Sequence, residues 1–385
     1  MKKQLLFING HLHTGGCERS LADLLRHIDY ERFDVDLLLL EDLGEFEGDL
    51  PAEVNVIYYD TKKAFGSFPK TMAKALLTGD LFSIRYRLCH LRCQRHGVEN
   101  ISCARSLFKK VKPHYDAIIG YRPGISTDLA AFVFSADKKI SWWHHGVYFD
   151  FGDLLPAYRK MDVINAVSES SAAIVREHFP EIRDKVRVIP NIISGEDLAG
   201  KAGSQNVERL KDLTLISVGR FSPEKNMTLC PKTAKILKEA GTRFRWYMVG
   251  DGAEYEEALA LVREYGLEDN FVFTGALENP YPFVKAADLL IHPSLVESQG
   301  LSVLEAMALG TPVIVVRSAG PLEYIKDGQN GFLTDPDPAS VAGKILALKD
   351  DAVRRTSVAD AAKQTVKQYA PETILRKFYD QIDQK

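Results

Sequence analysis

Eleven short apolar runs, separated by amphipathic stretches, limit what this chain can fold into more than any other feature of it. Six come first: 4–9 (QLLFIN), 35–40 (VDLLLL), 54–58 (VNVIY), 116–119 (DAII), 138–143 (KKISWW) and 162–167 (DVINAV). Five follow: 213–219 (LTLISVG), 244–250 (FRWYMVG), 271–274 (FVFT), 288–292 (DLLIH) and 312–316 (PVIVV). Near-continuous apolar runs belong to strands covered on both faces, and parallel sheets flanked by helices provide that cover. The series restarts after 194–212, a polar, Gly-bearing stretch that reads as an interdomain linker. The expected fold is therefore α/β, with two doubly wound, Rossmann-like domains facing each other across a cleft. The first spans 1–195 and the second 196–369. The helical segment at about 370–385, opened by Pro371, is expected to cross back onto the first. Ligands of such folds bind at the carboxyl ends of the strands.

A length of 385 residues suits two domains, each large enough for its own core. The longest apolar runs are far too short to span a bilayer, and the N-terminus MKKQLLFING lacks the long apolar region of a signal peptide. Five cysteines (17, 89, 93, 103 and 230), odd in number and irregularly spaced, read as reduced thiols of a cytoplasmic protein.

The formal charge of −3 is unevenly placed. Residues 61–112 hold twelve Lys/Arg against two acids, Asp80 and Glu99, so this window carries +10 and the remainder −13. Such asymmetry points to an anionic partner at one place on the surface. Within it, 81–96 (LFSIRYRLCHLRCQRH) repeats charged and apolar residues at helical spacing. A basic amphipathic helix of that kind suits an anionic membrane surface, and a protein peripheral to the inner face of the cell membrane is expected. A solvated basic face is the alternative. Nucleic acid is not an expected partner, because no recognition module accompanies the charge.

Residues able to carry chemistry gather after the apolar runs. The Gly pair Gly15–Gly16 lies between a strand and a helix, where backbone N–H groups approach a phosphate; a plain tight turn is the other reading. In SVGRFSPEKN (217–226), Arg220 and Lys225 leave a strand end on a short loop, either as a pair for one diphosphate or as two solvated cations. In HPSLVESQGLSVLEAMALGTPVIV (292–315), Glu297 follows a strand, and Ser298, Gln299 and Gly300 lead into a helix beginning near Leu301. That helix N-terminus offers N–H groups to a phosphate, with Glu305 in its first turns as a hydroxyl acceptor or a helix-dipole carboxylate. WWHHGVY (142–148) sets His144 and His145 at another strand end, and VGDG (249–252) is a further strand-end turn.

Together, 217–226, 249–252 and 292–315 resemble the retaining nucleotide-sugar glycosyltransferases of family 4, which have the GT-B fold. Glu297 and Glu305, with seven residues between them, are the most specific mark, and GGCER (15–19), SES (168–170) and VIPN (188–191) occur in the family's order. The resemblance covers nearly the whole chain and is weakest across 60–112. It implies that Gly15 and Gly16 line the donor diphosphate and that Arg220 and Lys225 neutralise it as it leaves. It implies that Glu297 holds donor-sugar hydroxyls, that amides of Gln299, Gly300 and Leu301 touch sugar and phosphate with Ser298 beside them, and that Glu305 binds the ribose. TGAL (274–277), with Gly275 and Leu277, would hold the base. His145 best matches the histidine near the anomeric centre, with His144 as the other register. Many members have an aromatic residue where this chain has Gln299, so the hexose is not named.

The function implied is transfer of a hexose, with retention, from a nucleotide-diphosphate sugar such as a UDP-sugar. The acceptor is a glycan or lipid-linked sugar of cell-surface polysaccharide or glycolipid synthesis. Two alternatives remain: an epimerase on the same fold, and a non-catalytic sugar- or nucleotide-binding protein. Cations and helix amides stabilise the departing diphosphate, so neither cofactor nor metal is expected. DVD (34–36) reads as the start of a buried strand, and Cys89, Cys93, His96 and Cys103 lack a structural-zinc spacing.

Overall fold

The computed structural model describes residues 2–13, 15–41, 44–65, 67–149, 152–207 and 212–384. Two all-parallel sheets carry the chain. The first contains β1 (Lys3–Asn9), β2 (Phe33–Leu39), β3 (Val54–Tyr58), β4 (His114–Gly120), β5 (Ser135–Trp143), β6 (Val163–Ala166) and β7 (Val186–Val188), in the order β3-β2-β1-β4-β5-β6-β7. The second contains β8 (Leu213–Val218), β9 (Phe244–Val249), β10 (Phe271–Gly275), β11 (Leu289–His292), β12 (Val313–Val316) and β13 (Phe332–Thr334), in the order β10-β9-β8-β11-β12-β13. In each sheet the strand order reverses beside its first strand, between β1 and β4 and between β8 and β11. Connections leaving those neighbours depart in opposite directions and open a crevice at their carboxyl ends. All eleven apolar runs are strands. The two strands that pattern does not reveal, β7 and β13, are three-residue edge strands, too short to register as runs.

Side chains alternate across each strand, so both sheet faces are buried. In β1, Leu6 and Ile8 join the core on one face, while Phe7 packs on Tyr121 and Phe378 on the other. In β8, Leu215 and Ile216 belong to separate clusters. The DVD carboxylates are taken up by the sheet: Asp34 accepts from Gln4, and buried Asp36 accepts from Tyr115 and Asn55 and pairs with Lys112.

The chain divides into two compact units, 1–190 with 374–385, and 191–373. Residues 194–202 of the expected linker thus belong to the second unit. Ser194 caps a helix, Gly195–Ala202, whose Leu198 and Ala202 are buried in the second unit's core; residues 208–211 lie outside the described residues. A polar composition concealed this helix because only one of its faces is apolar. The chain passes between units at Pro190–Asn191. At the other end, helix Pro371–Asp383 covers the first sheet. Phe378 packs on Phe7 and Trp142, Gln381 and Asn165 exchange amide hydrogen bonds, and Lys3 pairs with Asp383.

The basic window departs from expectation too. Helix Leu81–His96 turns Phe82, Tyr86, Cys89 and Cys93 into the first unit's core, so its apolar face is already occupied by protein. Lys62, Lys63 and Lys112 are ion-paired with Glu41, Asp60 and Asp36. Among the described residues, no helix is long and apolar enough to cross a membrane. None of their His, Cys, Asp and Glu side chains form a group of three placed to hold a metal.

Candidate functional site

The second unit builds its site by tying the loop after β8 to the loop after β11. Gly219 N–H donates to the Val249 carbonyl and Phe221 N–H to that of Asp251, which zips 219–221 against the 249–252 turn. Gly252 makes this possible: its φ is 152°, and a Cβ there would lie 2.8 Å from Phe221 N. Arg220 projects from this fixed backbone, exposed and without an ion-pair partner among the described residues. The turn continues through Asn226, whose left-handed φ of 51° suits asparagine better than most residues. The Glu224 carbonyl accepts from Leu295 N–H at 2.9 Å and Ser294 Oγ at 3.2 Å. Asn226 Nδ2 reaches the Pro293 carbonyl at 3.4 Å.

These bonds place Lys225 Nζ 2.5 Å from Glu297 Oε1. His292, the last residue of β11, puts Nε2 3.0 Å from the same oxygen. Glu297 is buried, and burial by itself would raise its pKa. The Lys225 charge, with His292 beside the same oxygen, overcomes that and holds the carboxyl at about 2. Glu297 is therefore a carboxylate at any physiological pH.

The segment after Glu297 is clamped from three sides. Gln299 Oε1 accepts from both Asn191 N (2.9 Å) and Asn191 Nδ2 (2.7 Å). A backbone N–H must meet oxygen, which fixes the amide's orientation and leaves its buried Nε2 without a partner among the described residues. Tyr324 Oη donates to the Gln299 carbonyl at 2.9 Å, and Gly320 lies against the Ser298–Gln299 peptide. Gly300 then turns at φ 81° and opens helix Leu301–Leu309, which no side chain caps. A helix N-terminus left uncapped is where an anion is favoured. Ser298 and Leu301 are half-buried beside it. On the same helix, Glu305 Oε1 accepts from Tyr281 Oη at 2.7 Å. Gly275 closes β10 at φ 71° and accepts from Gly250 N–H, and Leu277 packs on the cluster that also holds Leu301.

The first unit gathers a second group at the ends of β1, β4 and β5. Gly15 is the extended N-cap of helix Gly16–His27, and the Glu18 carboxylate lies against it where a Cβ would be. Glu18 is buried, and Arg122 Nη1 donates to it at 2.9 Å. An anion therefore already stands at this helix N-terminus, balanced by Arg122. Beside it, His144 packs on Tyr121 and Trp142 with ring centroids 4.7 and 6.1 Å apart. Its ring bonds the Tyr121 carbonyl while Nε2 has no partner among the described residues, so Nδ1 carries the proton. Burial, then His145 and Arg122, push His144 down to about 3. Burial and Arg122 hold His145 at about 4. The His145 carbonyl accepts from Trp143 Nε1 and Ser171 Oγ, giving its backbone a structural role in addition.

The structure thus joins Lys225 directly to Glu297 and sets Ser298, Gln299, Gly300, Leu301 and Glu305 on one loop and helix. Arg220, Gly275 and Leu277 lie at neighbouring strand ends of the same unit, while Gly15, Gly16, His144 and His145 belong to the first unit. Residues that pattern reading passed over are His292, Asn191, Gly320 and Tyr324 in the second unit, and Glu18 and Arg122 in the first. His292 and Arg122 carried a usable signal, as polar residues at the ends of apolar runs. Gly320 and Tyr324 carried none, since their importance is contact made across the fold.

Two Rossmann-like units with this strand order define a GT-B-type chain. Over 98% of its length and 98% of the other chain, it superposes on Anabaena HepE solved with UDP and glucose, with a TM-score of 0.71 and 19% identity, a likeness of fold. Residues 201–365, under half of the chain, match the family model for glycosyl transferases group 1. A 2-deoxystreptamine glucosyltransferase of Streptomyces kanamyceticus is 30% identical over 207 residues, covering 51% of this chain and 53% of that protein. The chain spans about half the length of the first curated relatives it matches. A Campylobacter jejuni N-acetylgalactosamine-N,N'-diacetylbacillosaminyl-diphospho-undecaprenol 4-alpha-N-acetylgalactosaminyltransferase is 24% identical over 385 residues, covering 98% of each.

Proposed function

We propose that this protein is a retaining, family 4 type glycosyltransferase that moves a hexose from a UDP-sugar to a glycan or lipid-linked acceptor. Cell-surface polysaccharide or glycolipid synthesis is the setting, and the anionic inner face of the cell membrane the place of work. The observation that carries this reading is the ionised Lys225–Glu297 pair beside the uncapped helix Leu301–Leu309. The names of the relatives support it: one is a glucosyltransferase, and another acts on a diphospho-undecaprenol.

In the proposed chemistry the bond from the anomeric carbon to the diphosphate oxygen breaks and its electrons leave with the nucleoside diphosphate, while an acceptor hydroxyl bonds the anomeric carbon and gives its proton to the departing diphosphate. Arg220, Lys225 and the helix amides stabilise that charge without reorganising. Glu297 orients donor hydroxyls, Glu305 the ribose, and the Gly275–Leu277 loop the base. Gly15 and Gly16 approach the diphosphate from the first unit, with Glu18 neutralised by Arg122. Retention in this scheme requires the acceptor to attack from the face that the diphosphate leaves. Of the two histidines, His144 offers a free Nε2 lone pair and is assigned to the sugar. Neither cofactor nor metal enters this scheme.

Incubating the protein with a panel of nucleotide sugars, with and without acceptor, and following product by NMR tests the reading. A UDP-hexose is expected to be consumed, with the product linkage keeping the donor's anomeric configuration. Glu297→Ala should abolish turnover, and Lys225→Ala should weaken donor binding. An inverted product refutes retention, epimerised donor without acceptor favours the epimerase, and near-normal turnover in both variants refutes the site.

A further inference from the structure

The first unit carries a helical corner whose leucine side chains are largely exposed. Helix Phe68–Thr78 ends at Gly79 with φ 67°, and helix Leu81–His96 follows behind Asp80, whose carboxylate caps it through Ser83 N–H. At this corner Leu76, Leu77 and Leu81 are 67%, 89% and 69% exposed, and Leu88, two turns on, is 51% exposed. Single exposed leucines are ordinary. Three within six residues around one tight turn form a patch that calls for a partner.

The charges beside the corner say which kind. Lys74 and Arg85 flank it, exposed and without ion-pair partners among the described residues, whereas Lys62, Lys63 and Lys112 of the same window are neutralised by acids. Lysine is depleted from protein-binding faces relative to the rest of the surface. An anionic headgroup layer attracts each such cation while the acyl boundary beneath takes the leucines. The apolar face of helix Leu81–His96 is consumed inside the core, and among the described residues of this window the most exposed leucines are those of the corner.

We propose that the 76–81 corner is a bilayer anchor: Leu76, Leu77 and Leu81 enter the acyl boundary of an anionic membrane, with Lys74 and Arg85 against its headgroups. The proposal rests on the reading of a membrane-side transferase for its purpose, but binding is tested without transfer.

Sedimentation of the full chain with phosphatidylglycerol–phosphatidylcholine vesicles, against pure phosphatidylcholine, provides the test. The protein is expected to bind the anionic vesicles. Leu77→Ser should lower that partition about tenfold, and Lys74→Gln about fivefold with a weaker salt dependence. Melting curves should not move for Leu77→Ser, since the side chain is exposed. Tryptophan fluorescence of Leu77→Trp should shift to the blue with anionic vesicles alone. Equal partition of Leu77→Ser and wild type overturns the proposal, as does failure of the wild type to bind. Light scattering in which Leu77→Ser converts an oligomer to monomer, with vesicle partition unchanged, overturns it in favour of a second copy of the chain. Glu297→Ala should keep its vesicle binding, so a failed transfer reading and a failed anchor give different results. A failed anchor leaves transfer to a water-soluble acceptor intact.

Discussion

Alanine at position 320 probes whether the donor loop works through its geometry. Gly320 lies in the short helix Ala319–Leu322, and its N–H donates to the Glu297 carbonyl at 3.3 Å. A Cβ there would sit 2.6 Å from the Ser298 carbonyl carbon and 2.8 Å from Gln299 N. Optimal carbon contacts begin near 3.5 Å, so the Ser298–Gln299 peptide must retreat by roughly 1 Å. The obstacle is backbone, and Asn191 and Tyr324 hold the same loop through Gln299, so no flexible side chain can absorb the change. Overpacking of this kind costs about 1–3 kcal/mol, and the second unit should stay folded with a melting temperature a few degrees lower. Catalysis should suffer far more, because misplacing groups by about 1 Å around a reacting centre lowers rates about 100-fold. The assay is kcat/KM for the nucleotide sugar beside far-ultraviolet circular dichroism. Gly343→Ala is the control: in helix Pro338–Leu348, its new Cβ meets nothing within 4 Å, and the exchange should stabilise by up to about 1 kcal/mol with turnover unchanged. Wild-type kcat/KM in Gly320→Ala, with its fold intact, refutes the reasoning.

Stability should report on Glu297 as well. A carboxyl at about 2 in the folded chain, against an ordinary 4.5, contributes fully above pH 4.5. That contribution, on the order of 3 kcal/mol, is lost as pH falls towards 2. Lys225→Met removes the main stabilising charge, so burial raises the carboxyl and denaturant midpoints should drop at higher pH than in wild type. Superimposable pH profiles would show that Lys225 does not govern Glu297. For the histidines, His144→Ala should lower turnover about tenfold through a lost hydrogen bond to the sugar, and His145→Ala less. The reverse order returns the role near the sugar to His145. Nitrogen-15 NMR should show the His144 proton on Nδ1; a proton on Nε2 contradicts the assigned tautomer.

Most of the fold was legible in the sequence because burial on both faces of a parallel strand demands a run of apolar residues, and a run is a local signal. Leu5 to Ile8 and Val313 to Val316 announce their strands with no reference to the rest of the chain. The stretch 194–212 misled because a short helix with one apolar face, Leu198 and Ala202, has the composition of a linker. Helix Leu81–His96 misled in the opposite sense. Its helical periodicity is plain, but periodicity says only that one face is apolar, not whether protein or membrane covers it.

Of the site, the residue types and their strand-end positions could be read locally: Arg220, Lys225, Glu297 and Glu305 all follow or lead regular elements. What they do to one another could not. Lys225 and Glu297 are 72 positions apart, and only the docking of Glu224 and Asn226 on residues 293–295 makes them a pair. Gln299, an odd substitution in sequence, is in the fold a strut to Asn191, 108 positions away. Local patterns of polarity specify strands, helices and the loops between them, because those depend on neighbours in the chain. The charge on Glu297, the tautomer of His144 and the exposure of Leu77 depend on neighbours in space, and only tertiary structure supplies those.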